Sequence, residues 1–510
     1  MRKLISILLI LTLLFAFCSC DGNNSNEETT TDENYVLPTP VVTSNISLPY
    51  TSAAGFNPYK TESSLNRDLL PVMYESLFTA TDDGKGKPQL ATSVEIDGKT
   101  VTVKLRQGIK FSDGGEFISS HVKSSYEKAK SSSFYKAQLS NISSITLVDN
   151  FTIKFTLHSV DPMALNALDF PISKSDDNSY IGTGKYTFEK SNDATYLQVN
   201  ENHRDYKKSW NEKIALYDMA GISSPIYPFK ANKISVYKNS LTSEEYVNLS
   251  SETVSVGLNN LVYVGVNSQW AGSVTSIDWV RKAVNIGIDR NIIASSSYLG
   301  QGTATVTPFK KGYYELDGIE LISESGNLEK AIELLEKNGY DQVNSEGVRS
   351  NGSTSLRVDI LVCTENPYKL NVAENFKTQL EKLGFGVKIR KYEKSEDFIL
   401  ALEEGHYSFY IGETQLTNNC DLSEFFSKKG KLNYGINEET FEIYSKLKKG
   451  ESKTKTFIKK FNANVPFIPL FYRNAVVSIN PNITGLGDSN SLYSSVCDWK
   501  MPEEEIAEKN

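Results

Sequence analysis

The sequence predicts a mixed α/β protein of two or three domains, in which an antiparallel α+β part precedes a part built on parallel strands. Strict alternation marks two strands of the first kind. Val101, Val103 and Leu105 stand against Thr100, Thr102 and Lys104, and Ile153, Phe155 and Leu157 stand against Thr152, Lys154 and Thr156. Such period-two patterns belong to half-buried strands, and a helical stretch around His121 to Lys130 separates them. The second half reads differently. Leu356 to Val362 is an apolar strand, Ala373, Phe376, Leu380 and Leu383 share a helical face, and Gly384 supplies a left-handed stop before Val387 and Ile389 begin another strand. Strand, helix and strand with short joints make a βαβ unit, which requires parallel pairing.

A second helix is well punctuated. Asn327 is its N-cap, Leu328, Ile332 and Leu335 its apolar stripe, and Gly339 its end. The change in strand pattern places a domain boundary near Asn259, and no internal repeat is present.

The start of the chain is an export signal. Arg2 and Lys3 precede the apolar run Leu4 to Cys18, and Ser19-Cys20-Asp21 follows. A basic start, a short apolar core and a small residue before cysteine describe a lipoprotein signal whose cleavage leaves a lipidated Cys20; the alternatives are an ordinary signal peptide and a short anchor helix. Asp21 to Asn34 contains no apolar residue and reads as a solvated tether. No later run approaches the roughly 20 apolar residues that span a bilayer.

Composition narrows the partner. With 54 Lys and Arg against 62 Asp and Glu, the net charge is −8. An acidic chain lacks the basic face that nucleic acid or anionic headgroups demand, so the membrane contact expected is the lipid alone. Beyond the signal, Cys363, Cys420 and Cys497 are too few for a disulfide framework and allow at most one bridge.

Chemistry-bearing motifs are scarce. His121, His158, His203 and His406 never occur as HxH or HExxH, and no CxxC or GxSxG is present. Gly182-Thr183-Gly184-Lys185 resembles the end of a phosphate loop, but the earlier glycine is missing and Tyr186 stands where Ser or Thr would hold magnesium. These observations favour no enzyme, no metal site and no cofactor.

An ordered series of motifs resembles family 5 of the extracellular solute-binding proteins, the dipeptide and oligopeptide receptors of ABC importers. It runs through Tyr74-Glu75-Ser76-Leu77, Pro88 to Ser93, Lys104 to Gly114, Gly182 to Tyr186, Val280 to Ala283, Ile288-Asp289-Arg290, Ala331 to Tyr340 and Pro466 to Leu470. The resemblance implies a two-lobed periplasmic-binding-protein-like fold of class II that closes about a hinged cleft. Signal 1–19 and tether 20–36 would be followed by lobe I at 37–258, with an inserted subdomain at about 80–178. Lobe II would occupy 259–472, the chain would return to lobe I over 473–503, and 504–510 would be a tail. It also implies a monomer, lipid-anchored outside the membrane, that hands an oligopeptide-like solute to a permease whose ATPase subunits are other chains.

The same resemblance supplies the site. Peptide receptors of this family fix the ligand amine with an aspartate three residues before an Asp-Pro pair; here Asn418 occupies the amine-binding position, Asp421 is the pair's acid and Leu422 replaces proline. Tyr74, Glu75, Trp270, Glu413, Thr414, Gln415, Asn418, Asn419 and Asp421 are the expected contacts, with Glu413 and Asp421 as alternative acids. Arg106, Asp113, Arg281 and Asp289 are expected in salt bridges and caps, and Cys420 as a small buried filler. The Asn418 departure keeps open a nickel chelate or other non-peptide solute. A surface hydrolase and a purely structural lipoprotein are the readings of other classes.

Overall fold

The computed structural model describes residues 46–174, 179–192, 194–242, 249, 251–486 and 492–501. The signal, Cys20, the tether and the 504–510 tail lie outside the described residues.

The alternating strands form the expected antiparallel sheet, in the order Ala91–Asp97, Thr100–Leu105, Thr152–Leu157, Ile142–Asp149. Val101, Val103, Ile153 and Phe155 are buried on one face, and helix Ser119–Ala129 covers them with Val122 and Tyr126. The βαβ unit is present too. Strands Arg357–Cys363 and Gly386–Tyr392 pair in parallel around helix Pro367–Lys382, which buries Ala373, Phe376 and Leu380 against them. Gly384 follows with φ +87°, and a Cβ there would meet the Arg349 side chain at 2.5 Å.

Helix Leu328–Lys337 starts as read, with the Asn327 side chain accepting from the Lys330 amide at 2.9 Å. Its stripe holds at Ile332 and Leu335 but not at Leu328. Leu328 is exposed, and Ala331 and Leu335 carry the burial while Ile332 packs at the edge. A first-turn side chain tilts back toward the helix start, away from the face that Ala331 and Leu335 bury.

Two long strands organise the molecule. Glu252–Val266 and Phe467–Ile479 run antiparallel through a seven-stranded sheet ordered Val236–Asn239, Phe467–Ile479, Glu252–Val266, Phe409–Gln415, Arg357–Cys363, Gly386–Tyr392, with Gly302–Ala304 added on Phe467–Ile479. Their register breaks between Gly257 and Leu261. Asn259 therefore falls inside a strand, at its irregular point. A further sheet orders Ser47–Tyr50, Lys213–Asp218, Thr195–Val199 and Tyr186–Lys190, and the segment carrying Trp499 closes its core beside Leu48 and Ile214.

Candidate functional site

A cleft of about 530 Å³ opens where these parts meet. Its first wall is the exit of helix Ser64–Met73, whose N-cap Ser63 accepts from the Asn66 amide at 3.2 Å. Pro71 lies inside this helix, which ends as Tyr74 turns extended. Tyr74 and Glu75 follow, both buried and both lining the cleft, with the Tyr74 hydroxyl donating to the Phe56 carbonyl at 3.2 Å.

The glycine loop holds this exit in place. The Gly184 amide donates to Met73 O at 3.0 Å, and a Cβ on Gly184 would lie 2.4 Å from Met73 C and 2.5 Å from Val72 O. Backbone meets backbone here, which explains the motif as a seam rather than a phosphate cradle. Lys185, one residue on, reaches the cleft and donates to Ser494 O at 3.0 Å.

The second wall comes from the far end of the chain. Leu416, Thr417, Asn418 and Cys420 line it, with Lys310 and Tyr472. Asn259, at the strand irregularity, donates to Asn418 Oδ1 at 2.7 Å, and Asn166 donates to Asn418 O at 3.1 Å. Asn418 in turn points its amide at Asp169 Oδ2, 3.4 Å away. The walls also touch directly: Lys310 pairs with Asp82 at 2.7 Å, Asn419 donates to Asp161 at 2.8 Å, and the Tyr314 amide donates to Asp83 O at 3.1 Å.

Among the described residues three carboxylates line the cleft, in different states. Glu75 takes both nitrogens of the Arg204 fork at 2.7 and 2.8 Å, with His203 Nε2 at 3.9 Å. Asp82 is paired with Lys310. Asp169 accepts from the Ala80 amide at 2.9 Å, and burial pushes its carboxyl up from the ordinary value. Burial also holds the His203 imidazole below its ordinary value, opposed by Glu75 and helped by Arg204.

Of the expected contacts, the structure brings Tyr74, Glu75 and Asn418 to the cleft and sets the others elsewhere. Glu413 is buried behind it, ion-paired with Arg473 and bonded by Asn260 and Tyr298 at 2.9 Å each. Thr414 and Gln415 continue that strand, opposite Leu261 and Asn260. Asn419 and Asp421 line a small neighbouring pocket; Asp421 accepts from Tyr444 at 2.8 Å and from Ser423, with Lys448 at 3.8 Å. Trp270 is half-buried over Gly272 and near His406, apart from the cleft. Cys420 lines both pockets with a thiol pushed up to about 12 by burial, and all three described cysteines are free.

The motif charges are structural. Asp113 pairs with Lys174 and Asp289 caps helix Arg290–Ser296. Arg106 and Arg281 bond main-chain carbonyls instead of the expected carboxylates: Gln89 O for the first, and Thr275, Ser276 and Asn464 for the second. Sequence reasoning missed Arg67, Asp169, His203 and Lys310 in the cleft. Among the described residues no three His, Cys, Asp or Glu side chains are grouped as metal ligands, and no helix is long and apolar enough to cross a membrane.

The family model for bacterial extracellular solute-binding proteins, family 5 middle, matches residues 85–429. The chain belongs to that family. It is a solute-binding protein of the ABC-importer type, with the family's two-lobed fold. The glutathione-binding protein GsiB of Salmonella paratyphi A is 23% identical over 88% of this chain and 90% of its own length. The nickel-binding protein NikA of Staphylococcus aureus is 25% identical over 86% and 90%. Among solved structures, an ABC transporter substrate-binding protein from Sinorhizobium meliloti superposes with a TM-score of 0.71 at 18% identity, covering 90% of this chain and all of that one. The oligopeptide-binding protein AppA from Bacillus subtilis, in complex with a nonapeptide, gives 0.54 at 19% identity, covering 90% and 99%. For this family 5 protein the fold is thus shared with peptide and metal binders alike, and the ligand has to be argued from its own cleft.

Proposed function

We propose that this chain captures a short, carboxylate-bearing peptide in the cleft and delivers it to an ABC permease while tethered outside the membrane by lipid on Cys20. One observation carries the ligand class. Arg67 and Lys185 line the cleft, and neither stands in an ion pair among the described residues: Arg67 donates to Glu62 O and lies over the Phe134 ring, and Lys185 donates to Ser494 O and contacts Cys497 Sγ. Two such cations suit a ligand with one or two carboxylates, and the guanidinium adds a planar fork that matches them. The volume lies within the range of about 300–1,000 Å³ usual for small-ligand sites. GsiB is named for glutathione, a tripeptide with two carboxylates and one amine, which is a ligand of this chemistry.

Closure follows from the strand pair. Lobe I and lobe II would move about Gly257–Leu261 on one strand and Tyr472–Asn474 on its partner, and the Lys310 to Asp82 and Asn419 to Asp161 contacts would form as the cleft shuts. A ligand that touches both walls favours the shut state and so shifts the population toward it.

A nickel chelate is the second reading, and His203 is the imidazole that would serve it. Its nitrogens are both engaged: Nδ1 accepts from the Asp205 amide at 3.1 Å, which leaves the proton on Nε2 facing Glu75. No lone pair is left for a metal, so the peptide reading is the better supported. The test is thermal stabilisation of the purified protein by glutathione, pools of di- to tetrapeptides, and nickel with histidine. A ligand at 100 times its Kd adds about 2.7 kcal/mol. Stabilisation by the metal complex and by no peptide would overturn the proposal.

A further inference from the structure

The sequence leaves the ligand's amine without a partner, since Asn418 stands where peptide receptors carry aspartate. The two alternative acids do not fill the gap. Glu413 is committed to Arg473 behind the cleft, and Asp421 is held by Tyr444, Ser423 and Lys448 beside the small pocket.

Of the three described carboxylates that do line the cleft, Glu75 and Asp82 are neutralised by Arg204 and Lys310. Asp169 is not. Its bonds are the Ala80 amide at 2.9 Å, the Ser76 side chain and the long contact from Asn418 at 3.4 Å, and no cation acts on it among the described residues. A carboxylate offers about four lone-pair sites, so capacity remains. It stands on the segment after the antiparallel sheet, across the cleft from Asn418.

We infer that Asp169 is the ammonium anchor of this receptor, with the charge moved from the Asn418 position on one wall to the facing wall, and with Asn418 as the neutral second acceptor. This rests on the peptide reading above. An ammonium brings three donors and a positive charge; Asp169 supplies the opposite charge, and the Asn418 side-chain oxygen, bonded so far by Asn259 at 2.7 Å, keeps a second lone pair. Because the anchor and the amide come from different walls, an amine bound to both bridges the cleft. Burial of Asp169 without a counter-ion raises its carboxyl, which is the state a cationic ligand would relieve.

The experiment measures Kd by calorimetry for glutathione and trialanine and for their N-acetylated forms, on the wild type and on Asp169→Asn, Asn418→Asp and the double variant. A charged pair lost in a buried site weakens binding by about ten-fold or more. The wild type is expected to prefer the free amine by that factor, Asp169→Asn to bind both forms alike, and the double variant, with the carboxylate moved to position 418, to regain the preference. Circular dichroism and the unchanged affinity for the acetylated peptide show that Asp169→Asn is folded. An amine preference that survives in Asp169→Asn overturns the anchor and leaves the peptide reading standing. Absence of binding by every peptide, free or acetylated, to the wild type overturns both.

Discussion

Asn419 Nδ2 donates to Asp161 Oδ2 at 2.8 Å, joining the segment that follows strand Phe409–Gln415 to the segment that follows the antiparallel sheet, 258 residues earlier in the chain. The bond lies beside the cleft, where Asn419 and Asp161 line the neighbouring pocket. Loss of one such bond costs about 1.5–3 kcal/mol when the acceptor is charged. Asn419→Ala is therefore expected to lower the shut population and weaken ligand binding by about ten- to 150-fold. Small-angle scattering of the ligand-free protein checks this, with a larger radius of gyration than the wild type as the expected result.

The Glu413 and Arg473 pair predicts a stability effect with no direct ligand contact. Arg473 is 1% exposed, stacked over Tyr298 at 4.5 Å, and Glu413 is its carboxylate partner. Arg473→Met leaves Glu413 buried without its cation and is expected to cost about 3–5 kcal/mol in urea unfolding, whereas the double variant with Glu413→Gln should recover part of that. Burial raises the Glu413 carboxyl, but Arg473, Lys369 and the Asn260 bond together hold it below its ordinary 4.5. The pair's contribution is thus complete above pH 4.5 and lost as pH falls through the lowered value. The stability gap between wild type and Glu413→Gln should narrow on acidification over that window.

The glycine seam gives a third expectation. A methyl group at Gly184 meets main-chain atoms of Val72 and Met73, which cannot rotate away. Gly184→Ala should lower the melting temperature by the equivalent of about 2–3 kcal/mol. It should also weaken ligand binding, because the displaced helix exit carries Tyr74 and Glu75 into the cleft.

How much of this was legible follows from where the information sits. Strands such as Thr100–Leu105 and Thr152–Leu157 advertise themselves, because one buried face and one solvated face force alternation. Glu252–Val266 does not. Its first half is largely exposed and its last six residues are all buried, so no single period runs through it, and a boundary expected at Asn259 lands in its middle. The site divides in the same way. Tyr74, Glu75 and Asn418 lie in or beside local motifs, but Asp169 and Lys310 are single charged residues in a chain rich in them. Contacts across about 230 to 250 residues, such as Lys310 to Asp82 and Asn418 to Asp169, give them their roles.

Arg204 and His203 supply the last expectation, because they compete for one carboxylate. Glu75 is buried and takes the full guanidinium fork, while the His203 ring faces the same carboxylate from 3.9 Å. Desolvation lowers the imidazole most, the Glu75 charge raises it, and the Arg204 charge lowers it again. In Arg204→Met the lowering charge disappears and Glu75 loses its counter-ion, so both changes favour protonated His203. Its pKa, followed by the NMR titration of the ring protons, is expected to rise above the wild-type value. The raised group then contributes stability at low pH that is lost as pH climbs through the new pKa. The variant should consequently be least stable relative to wild type in alkaline buffer and recover toward it on acidification. An imidazole titration that stays where it is in the wild type would show that Arg204 does not set the charge balance at Glu75.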